Sequence, residues 1–176
     1  MLKNHFELLG LPVQFAIDLA TLDQHYRKVQ GEVHPDRFVS ASGSERLQSM
    51  QLATLANEAY QTLKNPTSRA RYLLQLHGID TQEDSNTAMP GDFLMLQMEW
   101  REAIEEAADS DDIEALERLL GETRKNARQL QQELHCQLDE ANALEQASGT
   151  VRKLSFIDKV QSDIEHAITK LEDRHT

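Results

Sequence analysis

Tyr26-Arg27-Lys28-Val29-Gln30-Gly31-Glu32-Val33-His34-Pro35-Asp36-Arg37-Phe38 is the stretch that decides the fold. Upstream of the tripeptide, Leu19, Leu22, Tyr26, Val29 and Val33 recur every three or four residues, one face of a helix. Downstream, Leu52, Leu55, Ala56, Ala59 and Leu63 repeat the pattern. Pro35 has no N–H to continue a helix and pushes His34 out of the α region. The spacing predicts a helical hairpin with His34-Pro35-Asp36 presented at or near its tip.

The remainder of the 176 residues reads the same way. Glu, Gln, Leu and Ala dominate, aromatics are 5%, and there are seven glycines and four prolines. That balance favours helix over sheet, and no β-branched run alternates, so the fold class is all-α. A short helix at 5–9 is stopped by Gly10 and Pro12. Asp18 is placed to cap the second helix, and Ser44 to cap the third, which ends near Lys64. Pro66 suits the first position of a fourth helix, read as 67–76. Gly78, Asp80, Asp84, Ser85, Asn86 and Pro90-Gly91 mark a linker at 77–91. The expected domains are 1–76 and 92–176.

Beyond the linker, helices are expected at 92–108, 112–146 and 151–172, with Ser148-Gly149 ending the middle one. Leu116, Leu120, Thr123, Ala127, Leu130, Leu134, Leu138 and Ala141 mark the inner stripe of the middle helix. Leu154, Ile157, Val160, Ile164, Ile168 and Leu171 mark that of the last. Three such helices joined by short breaks form an antiparallel three-helix bundle.

Charge is divided unevenly. Residues 1–76 carry 8 Lys+Arg and 7 Asp+Glu, a net +1; residues 77–176 carry 10 and 23, a net −13. Phosphate neutralisation needs the opposite sign, so nucleic acid is not an expected partner. The single Cys136 excludes an internal disulfide and any multi-cysteine metal site. No apolar run reaches a membrane span, and residues 1–10 lack the apolar core of a signal peptide. The expectation is a cytoplasmic protein without a membrane contact.

One helix carries more apolar surface than a core needs. Over 92–108, Phe93, Leu96, Trp100, Ala103, Ile104 and Ala107 form a sufficient inner stripe. Leu94 and Met98 point away from it, and Glu102 and Glu105 continue their row, flanked by Met95, Glu99 and Glu106. Phe156 is similarly off the stripe of the last helix. Such a patch fits a protein contact or a seam with the N-terminal half, and periodicity weighs the two equally.

The tripeptide admits three chemistries. His34 and Asp36 could work as an acid–base pair in a small hydrolase, but no nucleophile beyond Ser40 and Ser42 lies near, and a convex tip makes a poor pocket. A metal site lacks ligands at suitable spacing, since His25, His34 and Asp36 share none. As a recognition loop, Asp36 could pair with a partner's arginine, with Arg27 and Lys28 adding charge for an acidic surface. As an isolated tripeptide, a plain turn is the commonest outcome.

With Tyr26-Arg27-Lys28, His34-Pro35-Asp36-Arg37-Phe38, Asn57-Glu58-Ala59-Tyr60-Gln61-Thr62-Leu63 and Asn65-Pro66 in that order, residues 6–74 resemble a J domain, which stimulates ATP hydrolysis by DnaK-type chaperones. Three further runs extend the resemblance to nearly the whole chain. They are Arg69-Ala70-Arg71-Tyr72-Leu73-Leu74-Gln75-Leu76-His77-Gly78-Ile79-Asp80, Phe93-Leu94-Met95, and Val151-Arg152-Lys153-Leu154-Ser155-Phe156-Ile157-Asp158-Lys159. Together they are similar to the HscB family, J-type co-chaperones of bacterial iron–sulfur cluster assembly. The resemblance implies an L-shaped, all-α, non-enzymatic protein, expected to be a monomer, with no cofactor and no metal. Its J domain would engage the chaperone HscA through Arg27, Lys28, His34, Pro35, Asp36 and Arg37. Its bundle would bind the scaffold protein IscU through Leu94, Met95, Met98, Glu99, Arg101, Glu102, Glu106 and Phe156. A J-domain co-chaperone serving a different client is the nearest alternative. Gly31 and Glu32 depart from the family pattern: glycine costs roughly 1 kcal/mol of helix stability relative to alanine, and Glu32 weakens the positive face.

Overall fold

The computed structural model describes residues 2–83 and 88–176, so Asp84, Ser85 and Asn86 of the expected linker lie outside the described residues. Among the described residues seven α-helices occur, in the order α1 (His5–Leu8), α2 (Leu19–Glu32), α3 (Gly43–Lys64), α4 (Pro66–Leu76), α5 (Gly91–Asp109), α6 (Ile113–His135) and α7 (Leu144–Arg174). A 3-10 turn, Pro35–Phe38, and a π turn, Cys136–Glu140, interrupt them. No strand occurs among the described residues.

The caps explain most boundaries. Asp18 accepts from the Ala20 N–H at the head of α2, and Asn65 accepts from the N–H groups of Thr67 and Ser68 at the head of α4, with Pro66 at its first position. Ser42, not Ser44, caps α3, accepting from the Glu45 N–H. A capping side chain accepts from an N–H two or three residues on, from a position just ahead of the helix, whereas Ser44 already lies within the first turn of α3.

α2 packs on α3 as the hairpin, with α1 laid across α3. Leu22, Val33, Ala56, Ala59 and Leu63 are buried as their period requires, whereas Leu19 and Leu55 are about half exposed. Leu55 falls about 100° round the helix from Ala56, at the edge of the stripe.

The bundle helices differ from expectation in one place. α6 ends at His135, and the chain turns at Ala141–Ala143, where Asn142 adopts φ +48°. Asn is among the few residues that tolerate this left-handed region. Ser148-Gly149 ends nothing: α7 runs through it, burying Ala147, Ser148, Thr150 and Val151. α7 packs on both α4 and α6, and this burial outweighs the poor helix propensity of Ser-Gly. Ala141, expected on the α6 stripe, is exposed as a result. Of the other stripe residues, Leu116, Leu120, Thr123, Ala127, Leu130 and Leu134 are buried and Leu138 is half-buried.

One cluster of buried side chains runs from Phe6, Leu22 and Leu74 in the N-terminal half to Trp100, Leu134 and Ile164 in the bundle. Polar bonds reinforce the join. The π turn aims Asp139 at the loop before α2, where its carboxylate accepts from the N–H groups of Phe15 (2.7 Å) and Ala16 (2.9 Å). Thr67 donates to Asp158 at 2.7 Å, and Arg152 donates to the Thr81 carbonyl at 3.1 Å. Arg69 is buried over the Phe15 ring and donates to the Leu63 carbonyl at 2.7 Å. Burial lowers its guanidinium to about 10 against the opposing charge of Asp139, so it stays protonated at neutral pH.

Candidate functional site: a presented turn and an apolar–acidic helix face

α2 ends at Glu32, and the chain passes directly into the 3-10 turn. His34 caps that turn: its Nδ1 accepts the Asp36 N–H at 3.2 Å, which places the ring proton on Nε2 when the imidazole is neutral. The Asp36 carboxylate lies 3.5 Å from the same Nδ1, and its side chain is 88% exposed. Arg27, Lys28, Pro35 and Arg37 are exposed as well. A groove of about 540 Å³ opens beside the turn, lined by Pro35 and Phe38 but by neither His34 nor Asp36. An acid–base pair on a protruding tip lacks the walls that would exclude water, which counts against the hydrolase alternative.

Stacked tyrosines brace the hairpin behind the turn. Tyr26 on α2 lies flat on Tyr60 of α3 at 4.2 Å, and Tyr60 donates to Asp23 at 2.7 Å. That hydrogen bond to a carboxylate raises the Tyr60 phenol above its ordinary value of 10.0. The brace fixes the turn of α2 from which Arg27 and Lys28 project.

The second surface lies on α5. Phe93, Trp100 and Ala107 are buried, while Leu94, Met95 and Met98 are 42%, 64% and 64% exposed. Glu99, Arg101, Glu102 and Glu106 are exposed beside them. Phe156 is half-buried on α7, edge-on to Phe93 with ring centres 6.0 Å apart, and Lys153 Nζ sits 5.7 Å from the Phe93 ring centre. Phe93 thus links Phe156 to the α5 face. The seam reading of Leu94 and Met98 fails, because the contact between the two halves is made elsewhere, by α4 with α7 and by the π turn.

Sequence reasoning passed over the residues at that join. Arg69, Asp139 and Asp158 each sit on helical stretches rich in other charges, and nothing in their period sets them apart. Among the described residues no group of three or more His, Cys, Asp or Glu side chains could hold a metal, and no helix is long and apolar enough to cross a membrane.

A helical hairpin presenting His-Pro-Asp at its tip, joined to a helical bundle, defines the class of J-type co-chaperones. Residues 89–165 match a family model described as the HSCB C-terminal oligomerisation domain. A co-chaperone protein HscB homolog from Cupriavidus taiwanensis is 50% identical over 170 residues, covering 97% of this chain and 96% of the relative. One from Paraburkholderia xenovorans is 49% identical over 169 residues, covering 96% of each. Among solved structures, chaperone HscB from Vibrio cholerae matches with a TM-score of 0.84 and 38% identity, covering 96% of this chain and 99% of that one. Human co-chaperone HscB matches with a TM-score of 0.86 and 29% identity, covering 93% and 81%. The chain belongs to the HscB family of co-chaperones.

Proposed function

We propose that this protein stimulates ATP hydrolysis by the DnaK-type chaperone HscA and delivers the iron–sulfur scaffold IscU to it, as a monomer acting in the cytoplasm. Residues 1–76 act as the J domain, 77–91 as the linker and 92–176 as the scaffold-binding bundle. The observation that carries the reading is the exposed Asp36 carboxylate on a capped turn at the hairpin tip, in a chain whose relatives are HscB co-chaperones. Arg27, Lys28, His34, Pro35, Asp36 and Arg37 form the chaperone face, its cations facing an acidic partner surface. Leu94, Met95, Met98, Glu99, Arg101, Glu102, Glu106 and Phe156 form the scaffold face, an apolar centre with a charged rim.

No catalytic group, cofactor or metal of its own is required. A ligand that binds the hydrolysis-competent state of a chaperone better than the resting state shifts the population toward it by that difference. The bundle supplies the client at the same time, so that two weak contacts on one chain act together. The monomer reading is supported by the burial of the α6 stripe within the bundle itself.

Steady-state turnover of HscA, measured with increasing amounts of this protein, tests the reading. Turnover rises to a plateau, and adding IscU lowers the amount needed. Flat turnover at every concentration, with or without IscU, refutes it.

A further inference from the structure

The turn that carries Asp36 is held from both sides by one helix. On its upstream side, buried Ser49 of α3 donates to the Val33 carbonyl at 3.0 Å. That carbonyl belongs to the last turn of α2, where no intrahelical donor remains. On its downstream side, Arg46 donates from Nε to the Phe38 carbonyl at 3.0 Å and from Nη2 to the Val39 carbonyl. Arg46 and Ser49 stand three residues apart on α3, so both side chains leave the same helix face. Between the anchored carbonyls lie His34, Pro35, Asp36 and Arg37, with His34 capping from within and the Arg37 N–H returning to the His34 carbonyl at 3.0 Å. The Asp36 carboxylate is 88% exposed and lies 3.5 Å from His34 Nδ1, which is already taken by the Asp36 N–H. Its direction is therefore set by the backbone, and the backbone is set from α3.

We propose that Arg46 and Ser49 are positioning residues for the chaperone signal, holding the His-Pro-Asp turn in the geometry a partner binds. This rests on the co-chaperone reading above. Neither residue needs to touch the chaperone. Loosening the turn divides the molecules between competent and incompetent arrangements, and apparent affinity falls by the competent fraction. Once bound, the turn is the same, so the plateau of stimulation is unaffected.

The test pairs Arg46→Met and Ser49→Val with Ser49→Thr, which keeps the hydroxyl. Arg46 is exposed, so its substitution leaves the core intact even if Ser49→Val proves unstable. Two readouts are taken on the full chain: amide hydrogen exchange of residues 34–39 alone, and HscA turnover as a function of co-chaperone concentration. Losing one or two such hydrogen bonds predicts a half-maximal concentration about five- to tenfold higher with an unchanged plateau. Exchange over residues 34–39 quickens in parallel, and Ser49→Thr stays within about twofold of wild type on both readouts.

A raised half-maximal concentration with unchanged exchange means that Arg46 or Ser49 touches the chaperone directly, and overturns the proposal. Quickened exchange with superimposable titrations overturns it too, leaving a merely structural bracket. A lowered plateau at unchanged half-maximum also overturns it. If wild type fails to stimulate at all, the co-chaperone reading falls and carries this proposal with it.

Discussion

Removing the Asp139 carboxylate is expected to weaken the join between the two halves of the molecule by a predictable amount. The side chain is 13% exposed and accepts from two consecutive backbone N–H groups, Phe15 at 2.7 Å and Ala16 at 2.9 Å, while His135 Nδ1 lies 3.0 Å away. Hydrogen bonds to a charged acceptor contribute about 1.5–3 kcal/mol each, and a buried donor left without a partner loses a similar amount. The Phe15 N–H is partly buried and counts nearly in full; the Ala16 N–H is exposed and water replaces most of its loss. Asp139→Ala is therefore expected to cost about 2–3 kcal/mol, and Asp139→Asn, which keeps one acceptor oxygen, about 1 kcal/mol. Urea unfolding followed by far-UV circular dichroism measures the loss, and amide exchange at Phe15 and Ala16 locates it. A loss under about 0.5 kcal/mol for Asp139→Ala, with exchange at both amides unchanged, would refute the assignment of these bonds as the clasp.

Two carboxylates at the same join respond oppositely to acid. Burial alone would raise Glu83, but its bonds with Arg71 (2.6 and 2.7 Å), Thr81 and Ser155 outweigh that and hold it below its usual 4.5. A depressed carboxylate stabilises above its unfolded pKa and loses that stability as pH falls through its folded pKa, so Glu83→Gln lowers stability at neutral pH and flattens the acid limb of an unfolding titration. Asp158 is raised above 3.8 by burial, which outweighs the Thr67 bond; its contribution has the opposite sign, and Asp158→Asn is neutral or stabilising at neutral pH in the same titration. Leu94→Ala and Met98→Ala each weaken IscU binding by roughly 1 kcal/mol or more in calorimetry while leaving unfolding unchanged; Phe156→Ala lowers both, because its ring also packs on Phe93. Gly31→Ala stabilises the protein by about 0.5–1 kcal/mol in urea unfolding, since a Cβ there meets nothing within 4 Å; a loss instead would mean that glycine at this position relieves a crowding the structure does not show.

The helices of the hairpin were legible because their breaks and periods agree, although the cap of α3 is Ser42 rather than Ser44. Asp18, Asn65 and Pro66 mark ends, and Leu22, Ala59 and Leu63 mark the inside. The break between α6 and α7 was misplaced because Ser148-Gly149 is the stronger local signal, and only the contacts of α7 with α4 and α6 cancel it. Asn142, which makes the turn, is one polar residue among many. On the α5 face, an apolar row off the inner stripe was readable from 100° geometry, and its exposure follows from where α4 and α7 meet. Arg46 and Ser49 were not readable at all. Their role depends on carbonyls that α2 leaves unsatisfied, and a carbonyl has no letter in the sequence.

The central claim is tested most directly by comparing wild type with Asp36→Asn for stimulation of HscA turnover at saturating co-chaperone. Asp36 is exposed and outside the core, so the substitution leaves the fold intact. Wild type is predicted to accelerate hydrolysis and Asp36→Asn to leave it at the basal rate. Equal stimulation by the two proteins would contradict the account.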